Sequence, residues 1–140
     1  ADAVGHARST VRAQARKTPS SLPPSALRLA EVDTVLCTLR GSVHAAAATY
    51  EARLQEHVGQ PFPTDFTFST RISNLKVSTS QLIVDIVGKA LLICGINGYR
   101  NDHRHSLGRH LRDCYGAALM VNNERILGQC STMQIMQRGG

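Results

Sequence analysis

Residues 92–125, LICGINGYRNDHRHSLGRHLRDCYGAALMVNNER, decide how this chain folds. An apolar stretch with helical spacing runs into Cys94-Gly95-Ile96-Asn97-Gly98-Tyr99. Glycine takes positive φ without a Cβ penalty, so two glycines three apart suit a helix cap followed by a tight reversal. A polar, histidine-rich loop over 99–105 leads to a new helix starting at Ser106, with Leu107, Leu111, Cys114 and Ala118 turned inward. In that helix Arg109, Arg112 and Asp113 share a face at three- and four-residue spacing. Asn122 and Asn123 interrupt it, and either can cap a last helical segment through Ile126, Cys130 and Met133.

Upstream, the same periodicity continues. Ala3, Val4, Ala7, Val11 and Ala15 form an apolar stripe, with Arg8, Arg12 and Arg16 on another. That is an amphipathic helix over 2–17, ended by Pro19, Pro23 and Pro24. Ser25 suits the N-cap of a second helix, unless Pro24 or an earlier residue starts it. Leu29, Val32, Leu36, Leu39, Val43, Ala46 and Tyr50 then make a seam of alternating three- and four-residue steps, closed by His57-Val58-Gly59. A proline loop at 60–65 follows, with Thr64, Asp65 or Thr67 as cap of a third helix running to about Cys94. Ile72, Leu75, Leu82, Ile83, Ile86, Ala90 and Leu91 define its apolar face, which Val77, Val84 and Val87 widen. No strand pattern competes. The predicted fold class is all-α, an antiparallel up-down four-helix bundle forming one domain over 1–140.

The charge excess of 16 − 10 = +6 is spread along the chain without a run of five like charges. With three Phe, three Tyr and no Trp, stacking residues for nucleic acid are missing, and no nucleic-acid partner is expected. A basic surface suits a phosphate-bearing cofactor or thioester substrate equally well. Cys37, Cys94, Cys114 and Cys130 lie far apart without CxxC or CxxH spacing, so buried reduced thiols are expected and no zinc site. No apolar run approaches a membrane span and no secretory signal opens the chain, so a cytoplasmic protein with no membrane partner is expected.

Catalytic constellations are hard to build. His103 and His105 lie near Asp102 and Asp113, but a metal site needs further ligands at fixed geometry, and none is expected. Ser106, His110 and Asp113 on one helix cannot form a nucleophile–base–acid chain. Arg109, Arg112 and Asp113 read as an intrahelical ion pair or, alternatively, as a phosphate clamp.

Read together, these segments resemble the C-terminal helical domain of the acyl-CoA dehydrogenase family over essentially the whole chain. Ala3-Val4-Gly5-His6-Ala7-Arg8 is similar to that domain's opening helix. Arg16-Lys17-Thr18 stands at the family's Arg-x-x-Phe-Gly, with Pro19-Ser20 replacing Phe-Gly. Leu92 through Tyr99 resembles its Gln-x-x-Gly-Gly-x-Gly-aromatic turn, with Leu92 for Gln and Ile96 for Gly, and Leu111-Arg112-Asp113 matches its hydrophobic-Arg-Asp element. The resemblance implies that this bundle makes a subunit interface and contacts FAD. An N-terminal helical domain and a β-domain, which complete members carry, have no counterpart in these residues. Carried over by position, Arg16 and Thr18 meet the FAD pyrophosphate, Leu92, Gly95 and Ile96 meet FAD through backbone groups, and Asn123 contacts FAD near a helix N-terminus.

The family's Glu-Gly-Thr element, which supplies its catalytic base, reads Val121-Asn122-Asn123 here, and valine accepts no proton. No catalytic residue is therefore assigned. The implied activity is α,β-dehydrogenation of an acyl thioester, carried by CoA or a carrier protein, within a homo-oligomer or a split enzyme with a partner subunit. A flavin monooxygenase of the same fold and a non-catalytic interaction or scaffold subunit are the alternatives.

Overall fold

The computed structural model describes residues 2–62 and 65–136. Every regular element among them is helical: α1 (Asp2–Lys17), α2 (Ser25–Glu56), α3 (Phe66–Cys94), the single turn α4 (Ile96–Tyr99), α5 (Gly108–Met120) and α6 (Asn123–Met136). The all-α class holds.

Helix α3 is the hub, with α1, α2, α5 and α6 all packed against it. Side-chain pairs fix the directions. Arg8 to Asp33 and Ser25 to Gln14 run α1 and α2 antiparallel. At the far end, the Tyr50 and Phe68 rings stack and Arg53 reaches Asp65, which turns α3 back along α2. Lys76 to Asn123 and Thr70 to Met133 run α6 back along α3. The order is up-down. Its fourth leg is not one helix but two, α5 against the C-terminal half of α3 and α6 against the N-terminal half, broken at Val121-Asn122.

The main core gathers Ala3, Val4, Ala7 and Val11 of α1 with Val32, Ile86, Val87, Ala90, Ile93, Leu107 and Cys114. The α1 stripe expected from the sequence is thus the face turned to the core. A second, smaller cluster of Val77, Ile126 and Cys130 seats α6. Asp65 caps α3, its carboxylate accepting from the Phe68 N–H at 2.6 Å and from Arg53 at 2.7 Å. The Phe68 N–H and then the Arg53 guanidinium hold its carboxyl below the usual carboxylate range. The Arg53 guanidinium also lies 4.4 Å above the Phe68 ring centroid. Of the other two caps considered, Thr67 lies within α3 and Thr64 lies outside the described residues.

Several expectations need correction. Ser25 is not the cap of α2: Pro24 stands there with helical φ of −56° and no side-chain bond, while the Ser25 hydroxyl goes to Gln14. Proline's fixed φ already starts the helix. Gly95 has the expected positive φ of 60°, but Gly98 does not; it is a close-approach glycine inside α4. Helix α5 starts at Gly108 rather than Ser106. Cys37 is exposed, because it lies off the α2 seam, whereas the other three cysteines are buried. The seam itself loses cover toward its end, leaving Val43, Tyr50 and Leu54 part-exposed, and Ile72 and Ile83 on α3 are part-exposed too. Finally, α3 is long and apolar enough, by length and composition, to cross a membrane. A helix that packs against four others needs apolar residues on most of its circumference, which accounts for that composition.

Candidate cofactor-contact site

Thr18 and Leu92, far apart in sequence, line one groove of about 490 Å³ where α1 ends, α2 begins and α3 approaches its C-terminus. Gln14, Ser25, Arg28 and Ile93 complete its main walls. The groove offers hydroxyl and amide groups beside a single guanidinium, Arg28, which forms no ion pair among the described residues. That donor set suits a phosphate-bearing ligand. Sequence reading missed Arg28, Gln14 and Ser25. Gln14 lies one turn before Thr18 on α1, but only the folding of α2 back along α1 brings Ser25 and Arg28 there, and no motif spacing encodes that.

Gly95 and Ile96 continue from Leu92 around the end of α3. The Gly95 N–H closes the helix on the Leu91 carbonyl at 2.8 Å, and its own carbonyl accepts from Gly98 at 2.9 Å. The apolar side chains of Leu92 and Ile96 are 64% and 70% exposed, so this edge presents hydrocarbon where the resembled turn has glutamine and glycine.

The other two expected contacts lie elsewhere. Arg16 lines a different groove, with Arg8, Arg12 and Arg104. Asn123 sits at the α3–α6 junction, its amide oxygen accepting from Lys76 and its amide nitrogen donating to Ser80 Oγ at 2.9 Å. Ser80 in turn donates to the Val77 carbonyl at 2.7 Å. The Asn123 side chain thus ties the start of α6 to α3, while Asn122 caps α6 by accepting from the Glu124 N–H at 2.9 Å. Val121 lies in the break, and Lys76 donates to its carbonyl. Its side chain offers no proton acceptor. Arg109 and Asp113 pair at 3.4 Å along α5 with both side chains largely in solvent, a contribution of a few tenths of a kcal/mol at most.

The histidines gather where the 99–105 loop meets α1. His6 Nδ1 and His105 Nδ1 are 3.0 Å apart, so one must donate and the other accept. His103 Nδ1 accepts from the His105 N–H at 3.1 Å, and the His110 ring stands edge-on to His6 with its Nδ1 buried and unpartnered. No three His, Cys, Asp or Glu side chains converge on a metal-sized point among the described residues. Burial, followed by the charges of Arg104, His6 and His103, pushes the His105 imidazole below its ordinary value.

The fold therefore favours neutral His105, while the unfolded chain takes up the proton first as pH falls. This contribution is fully present above about pH 6.5 and is lost below it. Thermal unfolding from pH 7.5 down to 5 should show the midpoint falling below pH 6.5, and His105→Gln should flatten that fall. An identical decline in the variant would remove His105 from the account.

Compared with known families, residues 2–136 match the family model described as acyl-CoA dehydrogenase, C-terminal domain. No curated protein and no solved structure matches the chain.

Proposed function

The chain belongs to the acyl-CoA dehydrogenase C-terminal-domain family, an oxidoreductase and flavoprotein-type family, and from that premise we propose that its Thr18–Leu92 groove holds the diphosphate end of FAD. One observation carries the proposal: two positions that the family resemblance assigns to FAD, distant in sequence, meet in one polar groove beside Arg28, which forms no ion pair among the described residues. Thr18, Ser25 and Gln14 offer neutral hydrogen-bonding groups there, and Arg28 offers the cation the resemblance had given to Arg16. When bound, the flavin supplies hydride acceptance. This domain supplies binding, orientation and, as in its family generally, a surface for oligomeric assembly.

The reaction we infer is α,β-dehydrogenation of an acyl thioester on CoA or a carrier protein, in the cytoplasm. Val121 leaves the base to be furnished by other sequence or a partner subunit. That same valine favours the second reading, a flavin monooxygenase of this fold, which needs no such base.

Arg28→Gln separates the groove from general surface charge. In the assembled protein, FAD affinity should fall roughly tenfold, the loss of about 1.4 kcal/mol expected from one charge-assisted contact. Arg125→Gln, elsewhere on the surface, should leave it unchanged. Equal flavin retention in both variants, by fluorescence titration, would refute the placement.

A further inference from the structure

Four of the six histidines, His6, His103, His105 and His110, gather where α1 meets the 99–105 loop and α5. We propose that they form a proton-operated latch: uncharged, they hold the loop on α1, and on gaining protons they release it while the helical bundle stays folded. The rings follow one another in space. His103 and His105 have centroids 5.4 Å apart, His105 and His6 5.2 Å, and His6 and His110 6.1 Å. All four residues are half-buried, so a charge on one ring is screened less from the next than in open solvent.

Two hydrogen bonds at the cluster each need a ring nitrogen without a proton. The His6 Nδ1 to His105 Nδ1 contact of 3.0 Å has room for one hydrogen, so it survives a first added proton and not a second. His103 Nδ1 accepts from the His105 N–H at 3.1 Å, a role that protonation of that nitrogen removes. With His6 and His105 both imidazolium, two N–H groups face each other, and the repulsion of like charges adds to the lost bond.

The surroundings do not compensate such charge. No carboxylate pairs with any of the four histidines among the described residues. On α1, Asp2 stands exposed one turn before His6, and Arg8 is bound to Asp33. In the loop, Arg104 adds positive charge, and Asp102 is held by Arg100 through two bonds at 2.9 and 2.7 Å. On α5, Asp113 is paired with Arg109, and the His110 Nδ1 is buried without a partner. From α3 comes the Cys94 thiol, which burial pushes up and so keeps neutral. It accepts from the Thr10 hydroxyl, which also donates to the His6 carbonyl at 3.0 Å.

Release is local because little else ties the loop down. Among the described residues, His6 to His105 is the one hydrogen bond from residues 100–106 to α1. The others lie within the loop or, at its start, reach the Ile96 carbonyl. Ala3, Val4, Ala7 and Val11 hold α1 in the core without the loop's help. Asn101 of the loop walls a hollow beside Leu107, so release opens that hollow to solvent. The stability lost below about pH 6.5 is thereby assigned to one segment.

Hydrogen exchange of the 140-residue chain, followed amide by amide by NMR from pH 7.5 to 5, tests the latch. At pH 5 the His105 and Ser106 amides should exchange within about tenfold of their intrinsic rates, while Ile86 and Val87 of α3 stay protected by at least about a hundredfold. The His105 ring-carbon shift should report two proton steps about one pH unit or more apart, and a single step in His6→Gln. His44→Gln, on an exposed position of α2, should alter neither readout. Loop amides as protected at pH 5 as at pH 7.5 would overturn the latch, and so would a single His105 step in the unaltered chain. Loop and core amides losing protection together would mean global unfolding and overturn it equally. The unaltered chain gives each of these results by itself, so a variant that fails to fold does not shield the proposal.

Discussion

Leu107→Ala is expected to destabilise the fold by about 3 kcal/mol, lowering the thermal midpoint by roughly 8 °C. Leu107 is completely buried, 0% exposed, among the core residues contributed by α1, α3 and α5. It is also where the loop rejoins the bundle. Its N–H bonds the Gly98 carbonyl at 2.8 Å and its carbonyl accepts from Leu111 at 2.9 Å. The surroundings cannot collapse easily, because a hollow of about 250 Å³ already lies against Leu107, walled by Leu91, Tyr99 and Leu111. Removing the isobutyl group enlarges that hollow, so the cavity cost adds to the lost transfer energy. Urea unfolding should show a lower midpoint with an unchanged slope, and Leu107→Met should recover most of the loss. A loss below about 1 kcal/mol would mean that the loop is not docked as described.

How far the sequence revealed this arrangement depends on which physical signal each feature leaves. The helices were legible because burial against α3 imposes three- and four-residue spacing on each of them. The stripe Ala3, Val4, Ala7 and Val11 and the positions Leu107 and Cys114 all lie in the core as expected. The break at Val121-Asn122 was visible only as two asparagines, since a helix interruption leaves no periodic trace. Its physical partner, Lys76, lies on another helix and gave no signal.

The candidate site was legible in part for a related reason. Arg16 and Thr18 stand two residues apart in one sequence element, but Arg16 is in the last turn of α1 and Thr18 lies just past its end. The structure accordingly separates them. Arg28 had no motif at all; it belongs to the site because α2 starts immediately after the prolines and runs back along α1. Asn123 was named through the family resemblance; it stands at the start of α6, where Lys76 and Ser80 engage its amide.

The turn between α3 and α5 is also where the second large effect is expected. Gly98→Val should destabilise the chain by about 2 to 3 kcal/mol. Gly98 has ordinary negative φ, so backbone strain is not the reason; space is. A Cβ there would stand 2.7 Å from Cys94 Cβ and 3.1 Å from Leu91 Cδ1. The leucine methyl group can rotate away, but Cys94 Cβ is attached to the backbone of α3 and cannot. Relief therefore requires α4 to lift from the end of α3, which pulls on the Gly98 carbonyl and so on Leu107. Gly98→Ala makes the same first clash without the branch, partly offset by better helix propensity, and should cost about half as much. If the turn moves as a unit, the valine variant will weaken flavin retention at Leu92. Gly95→Ala, strained by its φ of 60° but open in space, should disturb the Leu92 edge more than the loop. A stable Gly98→Val protein with flavin affinity intact would show that α4 sits farther from Cys94 than these contacts require.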